Sequence, residues 1–208
     1  QGLPPSSTNR QFMQQMVYAV CMETYECFVR ALGRDPGFGP LGGESARDGR
    51  LRVQAMAFKE ANAFYDRQSG ALMIGYEFAG AYARRKGQPG SEVYIAMSRD
   101  VVAHEMTHAM LDSLRPNFMR PTHVDVGALH EGFADLVGLL MRFAQQEVVE
   151  RAIASTQGSL LDNRLMEIGR QFGFDLIDGK NALRSAAAKD PYYKRLPDDR
   201  RYTRNTEE

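Results

Sequence analysis

The sequence predicts an α+β fold, with a long helix and a small antiparallel sheet set over a mostly helical lower part. Three observations lead there. Apolar residues recur at steps of three and four over 10–33, they alternate with other residues over 51–58, and two further helix-like runs fall at 98–115 and 127–150. A chain of 208 residues fits one compact domain, or two lobes sharing a cleft, and can bury a sizeable core.

Each element has its own signal. In RQFMQQMVYAVCMETYECFVRALG, residues Phe12, Met16, Ala19, Val20, Glu23 and Cys27 follow the helical step, and Gly33 supplies the stop. DPGFGPLGGESARDG, 35–49, is rich in glycine and proline and reads as a loop. LRVQAMAF, 51–58, alternates Leu51, Val53, Ala55 and Ala57 with their neighbours at the period of a strand. ALMIGYEF, 71–78, is a second strand, entered through the turn-like DRQSG. EVYIAM, 92–97, reads either as a third short strand or as the lead-in to the next helix. Ser98 suits an N-cap and Asp100 the first turn, where its charge meets the helix dipole. That helix runs to about Arg115, because Pro116 cannot continue it. RPNFMRPTHVDVG, 115–127, connects to a strongly apolar helix over 127–150. Beyond Gly158, LLDNRLMEIGRQFGF suits one more helix, and the end from Lys189 is polar.

Charge and composition exclude several function classes. Lys plus Arg and Asp plus Glu are both 26, so the chain lacks the basic excess of a nucleic-acid binder. No run approaches the ~18 apolar residues of a membrane span. QGLPPSSTNRQF lacks the basic and apolar regions of a secretory signal. The two cysteines, Cys21 and Cys27, lie about 9 Å apart along one helix, too far to bridge, and are expected to be free thiols. Free thiols and the missing signal favour a cytoplasmic over a secreted setting. Nothing in the sequence indicates an oligomeric state.

The chemistry is concentrated in VVAHEMTHAMLD, 101–112. On a helix, His104 and His108 lie on one face a turn apart and can direct two imidazole nitrogens at a single cation. Glu105 sits about 100° around the helix, within reach of a water on that cation without ligating it. A zinc with three protein ligands keeps a fourth position for water and lowers its pKa towards ~7, and a nearby carboxylate can take the proton. A chance match to this pattern is roughly a one-in-several-hundred event, so a third ligand is required.

The next helix supplies it. In ALHEGFADLVGLLMRFA the apolar stripe is Leu129, Phe133, Leu136, Val137, Leu140 and Ala144. Glu131 and Asp135 share the opposite face, which Gly138 continues, leaving room for close packing. Two carboxylates on an otherwise apolar helix are costly to bury unless something cationic receives them. Glu131 is then the third ligand, and Asp135 accepts from a ligating histidine and orients it. His130, the neighbour of Glu131, points about 100° away from it and is read as a supporting or surface residue.

HEMTH, with Glu131 23 positions after His108 and Asp135 four further on, resembles the gluzincin metallopeptidases, and specifically the thermolysin family, which carries HExxH on one helix and ExxxD on the next. DVVAHEMTHAMLD is similar to the family's active-site helix throughout. EANAFYDRQSGALMIGY is similar to its edge-strand segment, where an Asn and an Ala grip the peptide, which implies that role for Asn62 and Ala63. ALRS, 182–185, resembles the segment whose arginine binds the substrate carbonyl, which implies Arg184.

The resemblance implies a zincin-like fold in which 1–208 is a single catalytic core. Residues 1–115 would form the helix and sheet lobe with the HExxH helix, and 116–208 a mainly helical part cut short at its C-terminus. It also implies a zinc-dependent endopeptidase acting on a peptide or protein, with His104, His108 and Glu131 holding zinc, Glu105 as general base and Asp135 behind a ligand. The chain departs from the family in three ways. No histidine follows His130, where family members place one that hydrogen-bonds the oxyanion. Tyr192, Tyr193 and Tyr202 are the alternative donors, and His123 stands in the loop where the family has a tyrosine. Asp100 matches a calcium-ligand position, but Arg142 stands where a second acid is expected, so calcium is not expected. The alternatives are a zinc-binding interaction domain without catalysis, and a hydrolase of a non-peptide amide or ester.

Overall fold

The structure, a computed structural model, describes residues 2–38, 49–78, 92–116, 118, 120, 122–157, 165, 167–168 and 184–185. It is mixed α+β, with four helices among the described residues and short strands in three small sheets.

Helix α1, Arg10–Leu32, begins where the Asn9 side chain accepts the backbone N–H groups of Gln11 and Phe12, and ends at Gly33 with φ 66°. Its buried face is Met13, Val17, Val20, Cys21, Thr24 and Phe28, one position along from the stripe read in the sequence, so that Ala19 is exposed. Both cysteines are free thiols, and burial pushes Cys21 up to about 12.

Strand β1, Arg52–Gln54, β2, Ala63–Asp66, and β3, Ala71–Ile74, form one sheet in the order β1-β3-β2. This sheet is not wholly antiparallel: β1 runs parallel to β3, and only β2 is antiparallel to it. The alternation over 51–58 yields a strand of three residues, after which single backbone bonds, Ala57 N–H to Ile74 O and Tyr76 N–H to Phe58 O, keep the chain beside β3. The run 71–78 is likewise divided. Gly75 separates β3 from β4, Tyr76–Phe78, which pairs with β5, Glu92–Tyr94, in a second sheet. A Cβ at Gly75 would stand 2.3 Å from Glu60 O and 2.8 Å from Asn62 O, so only glycine lets the strand pass there.

After β5, Ile95–Met97 make one 3₁₀ turn, so 92–97 is both strand and lead-in. Helix α2, Arg99–Leu114, starts at Ser98, whose hydroxyl donates to Asp100 (2.7 Å) instead of capping a backbone N–H. Every residue from Asp100 to Met110 is buried, as α1, the three-stranded sheet and the following helix surround α2. Val102, Met106 and Met110 join Met13, Val17, Leu72 and Ile74 in the core.

The apolar run 127–150 is two helices, α3, Val124–Phe143, and α4, Gln146–Thr156, with an extended Gln145 between them; no proline or glycine marks the break. Glu167–Ile168 form β6, paired with β7, Arg184–Ser185, so the helix expected after Gly158 does not include 167–168. Apart from Leu165, the rest of that segment, much of the loop 35–49, and Tyr192, Tyr193 and Tyr202 lie outside the described residues. No helix among the described residues is long and apolar enough to cross a membrane.

Candidate metal centre

Helix α3 packs along α2. His130, Ala134 and Gly138 are its buried positions, and a Cβ on Gly138 would come 3.0 Å from Asp100 O. This close approach is held at one end by Arg142, whose guanidinium pairs with Asp100 at 2.6 Å and also donates to Glu167 O. At the other end it brings Glu131 and Asp135 to the histidines of α2.

His104 Nε2 and His108 Nε2 lie 3.0 Å apart. Glu131 reaches both, with Oε2 3.3 Å from His104 Nε2 and Oε1 3.5 Å from His108 Nε2. Donors about 2.0–2.1 Å from a tetrahedral cation stand about 3.3–3.4 Å apart, so the three side chains have the spacing that such an ion requires. Behind them, His104 Nδ1 meets Asp135 Oδ1 at 2.8 Å. Burial, the largest influence on His104, works against its charged form. The Asp135 hydrogen bond and the charges of Glu105, Asp135 and Glu131 outweigh it, and its pKa lies above the ordinary histidine value. The pocket therefore favours a proton on His104.

Glu105 is the other carboxylate of the cluster. Donor atoms of His104, Glu105 and His108 all lie within 4.8 Å of one another, and this buried trio could itself hold a metal ion. Glu105 Oε2, however, accepts the backbone N–H of Tyr65 at 3.1 Å, whereas Glu131 bridges both imidazoles. Of the two carboxylates, Glu131 is the one within 3.5 Å of both imidazoles.

Several partners were not legible in the residue spacing. His130 is buried, and its Nδ1 lies 2.8 Å from His108 Nδ1. If both Nε2 atoms face a cation, His108 Nδ1 carries the proton and His130 Nδ1 accepts it, leaving the proton of His130 on Nε2. That Nε2 is buried with no hydrogen-bond partner among the described residues, and burial holds the ring below the ordinary histidine pKa. Asp112, 1% exposed, interacts electrostatically with His130, accepts from the Tyr65 hydroxyl (2.9 Å) and pairs with Arg67 (3.4 Å). One signal pointed to it: His104, His108 and Asp112 continue a single four-residue step. The contacts of Tyr65 had no such signal.

The centre opens into a cleft of about 540 Å³. Edge strand β2 lines it with Ala63, Phe64 and Tyr65, the segment after α2 with Phe118, Arg120 and His123, and the first turn of α3 with Val124 and Val126. His123 caps α3, its Nδ1 accepting the Asp125 N–H (3.3 Å). Of the residues expected to bind substrate, Ala63 lines the cleft. Asn62 is exposed beside it, its side chain bonded to the Ala63 N–H (2.9 Å). Arg184 lies in β7, and its side chain is outside the described part. A scan against protein-family models finds no match to the chain, and a search of curated proteins finds none either.

Proposed function

We propose that the chain is a zinc-dependent endopeptidase of the thermolysin type, with a zincin-like fold in which 1–208 forms a catalytic core. The observation that carries this reading is the triangle of His104, His108 and Glu131 donors, 3.0–3.5 Å on a side, with Glu105 held apart from it on the Tyr65 N–H. His104, His108 and Glu131 would hold zinc, and Asp135 and His130 would fix the two rings with Nε2 inward. When bound, zinc supplies Lewis acidity and an acidified water.

The residues of the chain perform the remaining steps. Glu105, buried beside the two histidines, would take the proton of the attacking water and return it to the leaving amine. Its carboxylate is aimed by the Tyr65 N–H, so the strand that borders the cleft also sets the base. A peptide laid along the edge of β2 would bring its carbonyl to the centre, with Ala63 and Asn62 beside it.

The test is cleavage of casein or a quenched peptide with and without a chelator, together with metal analysis. Glu105→Gln is expected to keep zinc and lose turnover. No zinc in either the wild type or His104→Ala would sink the proposal. A second reading, a zinc-binding interaction domain, is favoured by one observation: the chain has no histidine after His130. Stoichiometric zinc without chelator-sensitive cleavage would select it.

A further inference from the structure

Among the described residues lining the cleft, Arg120 is the one lysine or arginine. The other charged lining groups are Glu105 and Glu131, whose two negative charges balance a divalent cation at the centre. Arg120 makes no ion pair within 4.0 Å among the described residues, and it is exposed. The other arginines whose ion pairs are described here are already engaged: Arg67 with Asp112, Arg99 with Glu23, Arg142 with Asp100 and Arg151 with Glu147. Arg120 thus leaves an uncompensated cation on the wall of a binding site.

Its surroundings narrow the ligand. Phe118, Val124 and Val126 also line the cleft, giving it apolar surface against which a short aliphatic stem can pack. A planar guanidinium at the edge of such a surface matches a carboxylate, which it can bind through two parallel N–H donors. A lysine or arginine of the ligand would meet Arg120 as a like charge. A purely apolar side chain would fit the wall but leave the guanidinium without a partner.

We infer that Arg120 forms a carboxylate subsite, so that the cleft selects peptides carrying a negative charge close to the bond placed at the metal centre. This inference rests on the peptide reading of the cleft. A peptide can present that carboxylate on a glutamate side chain or at its own C-terminus, and Arg120 recognises the same group in both.

Binding is measured on zinc-loaded Glu105→Gln protein, which does not consume its ligand. Three matched hexapeptides are compared, a glutamate-containing amide, its glutamine counterpart, and the glutamine peptide with a free C-terminal carboxylate, and a lysine-containing amide is added for the charge-reversal variant. One of the two acidic peptides is expected to bind about five- to tenfold tighter than the neutral amide, and which one identifies the source. The advantage should shrink with added salt, vanish in Arg120→Ala, and pass to a lysine-containing amide in Arg120→Glu. Equal binding of all three peptides, absence of binding by any, or an advantage that survives Arg120→Ala overturns the inference. Turnover of the same peptides by the wild type is followed in parallel. A carboxylate preference without turnover keeps the subsite and removes the peptidase, whereas turnover without a preference does the reverse.

Discussion

Helices α2 and α3 are neighbours in the centre, yet they are built by opposite rules. In α2 every residue from Asp100 to Met110 is buried, and its two histidines and Glu105 are polar groups carried inside a core element. In α3 the buried positions are only His130, Ala134 and Gly138, while Leu129, Leu136 and Leu140 stand 57%, 49% and 57% exposed. The first helix owes its position to the packing around it. The second is placed by a narrow contact at His130, Ala134 and Gly138, and by the ionic and hydrogen-bonded groups along that contact. Failure should therefore look different in each: α2 variants disturb the fold, and α3 variants uncouple the centre from a fold that survives.

The largest effects test the three donors. His104→Ala and Glu131→Ala should each lower zinc affinity by more than the about 100-fold that a supporting contact carries. Zinc held at wild-type affinity by Glu131→Ala, read by competition with a chromogenic chelator, would assign the third position to Glu105. Gly138→Val should come next. Its side chain would meet Asp100 O, forcing α3 away at a cost of about 1–3 kcal/mol and weakening zinc as Glu131 and Asp135 withdraw. Gly132 on the same helix has nothing within 4 Å of a Cβ. Gly132→Ala should therefore stabilise the protein by about 0.5–1 kcal/mol in chemical denaturation and leave zinc binding unchanged.

This contrast also explains what could be read from the sequence. His104, Glu105, His108, Glu131 and Asp135 follow from the 3.6-residue period alone, because each pair lies within one helix. The outward turn of Leu129, Leu136 and Leu140 did not follow. A stripe of leucines reads as a core face, but here the buried positions are His130, Ala134 and Gly138, and Glu131 stands exposed at the cleft. Strand pairing was lost for a different reason. The parallel registration of β1 on β3 and the division of 71–78 at Gly75 depend on what lies across the sheet, and no local periodicity reports it. The Tyr65 and His130 contacts are of the same kind: they bridge 40 and 22 residues.

Supporting contacts give intermediate effects. Asp135→Asn should weaken zinc by ~10–100-fold, and His130→Leu, which removes the acceptor for His108 Nδ1, by a similar factor. Both should leave the unfolding midpoint of the zinc-free protein closer to wild type than Gly138→Val does. pH adds a signed test. The raised pKa of His104 means that the folded zinc-free protein holds its proton more tightly than the unfolded chain. This stabilisation is complete below the ordinary histidine pKa and is lost as pH rises through the raised value. Zinc competes with that proton, so the thermal shift caused by zinc should grow over the same interval. A zinc shift that stayed constant across it would mean that His104 does not ligate.

The smallest effects concern adjacent residues of α3. Val137 packs against the core, and Leu136 is half exposed. Val137→Ala should cost about 1–2 kcal/mol through lost apolar burial, while Leu136→Gln should stay within about 0.5 kcal/mol. Neither residue reaches the metal centre, so zinc affinity should be unchanged in both. The pair therefore measures which face of α3 holds it in place, independently of the chemistry. Equal costs would mean that the leucine face is covered as well, and that α3 is positioned by packing on both sides, as α2 is. A near-zero cost for Leu136→Gln beside a clear loss for Val137→Ala would leave the Gly138 contact, the Arg142–Asp100 pair and the carboxylates as what sets the distance between the two helices.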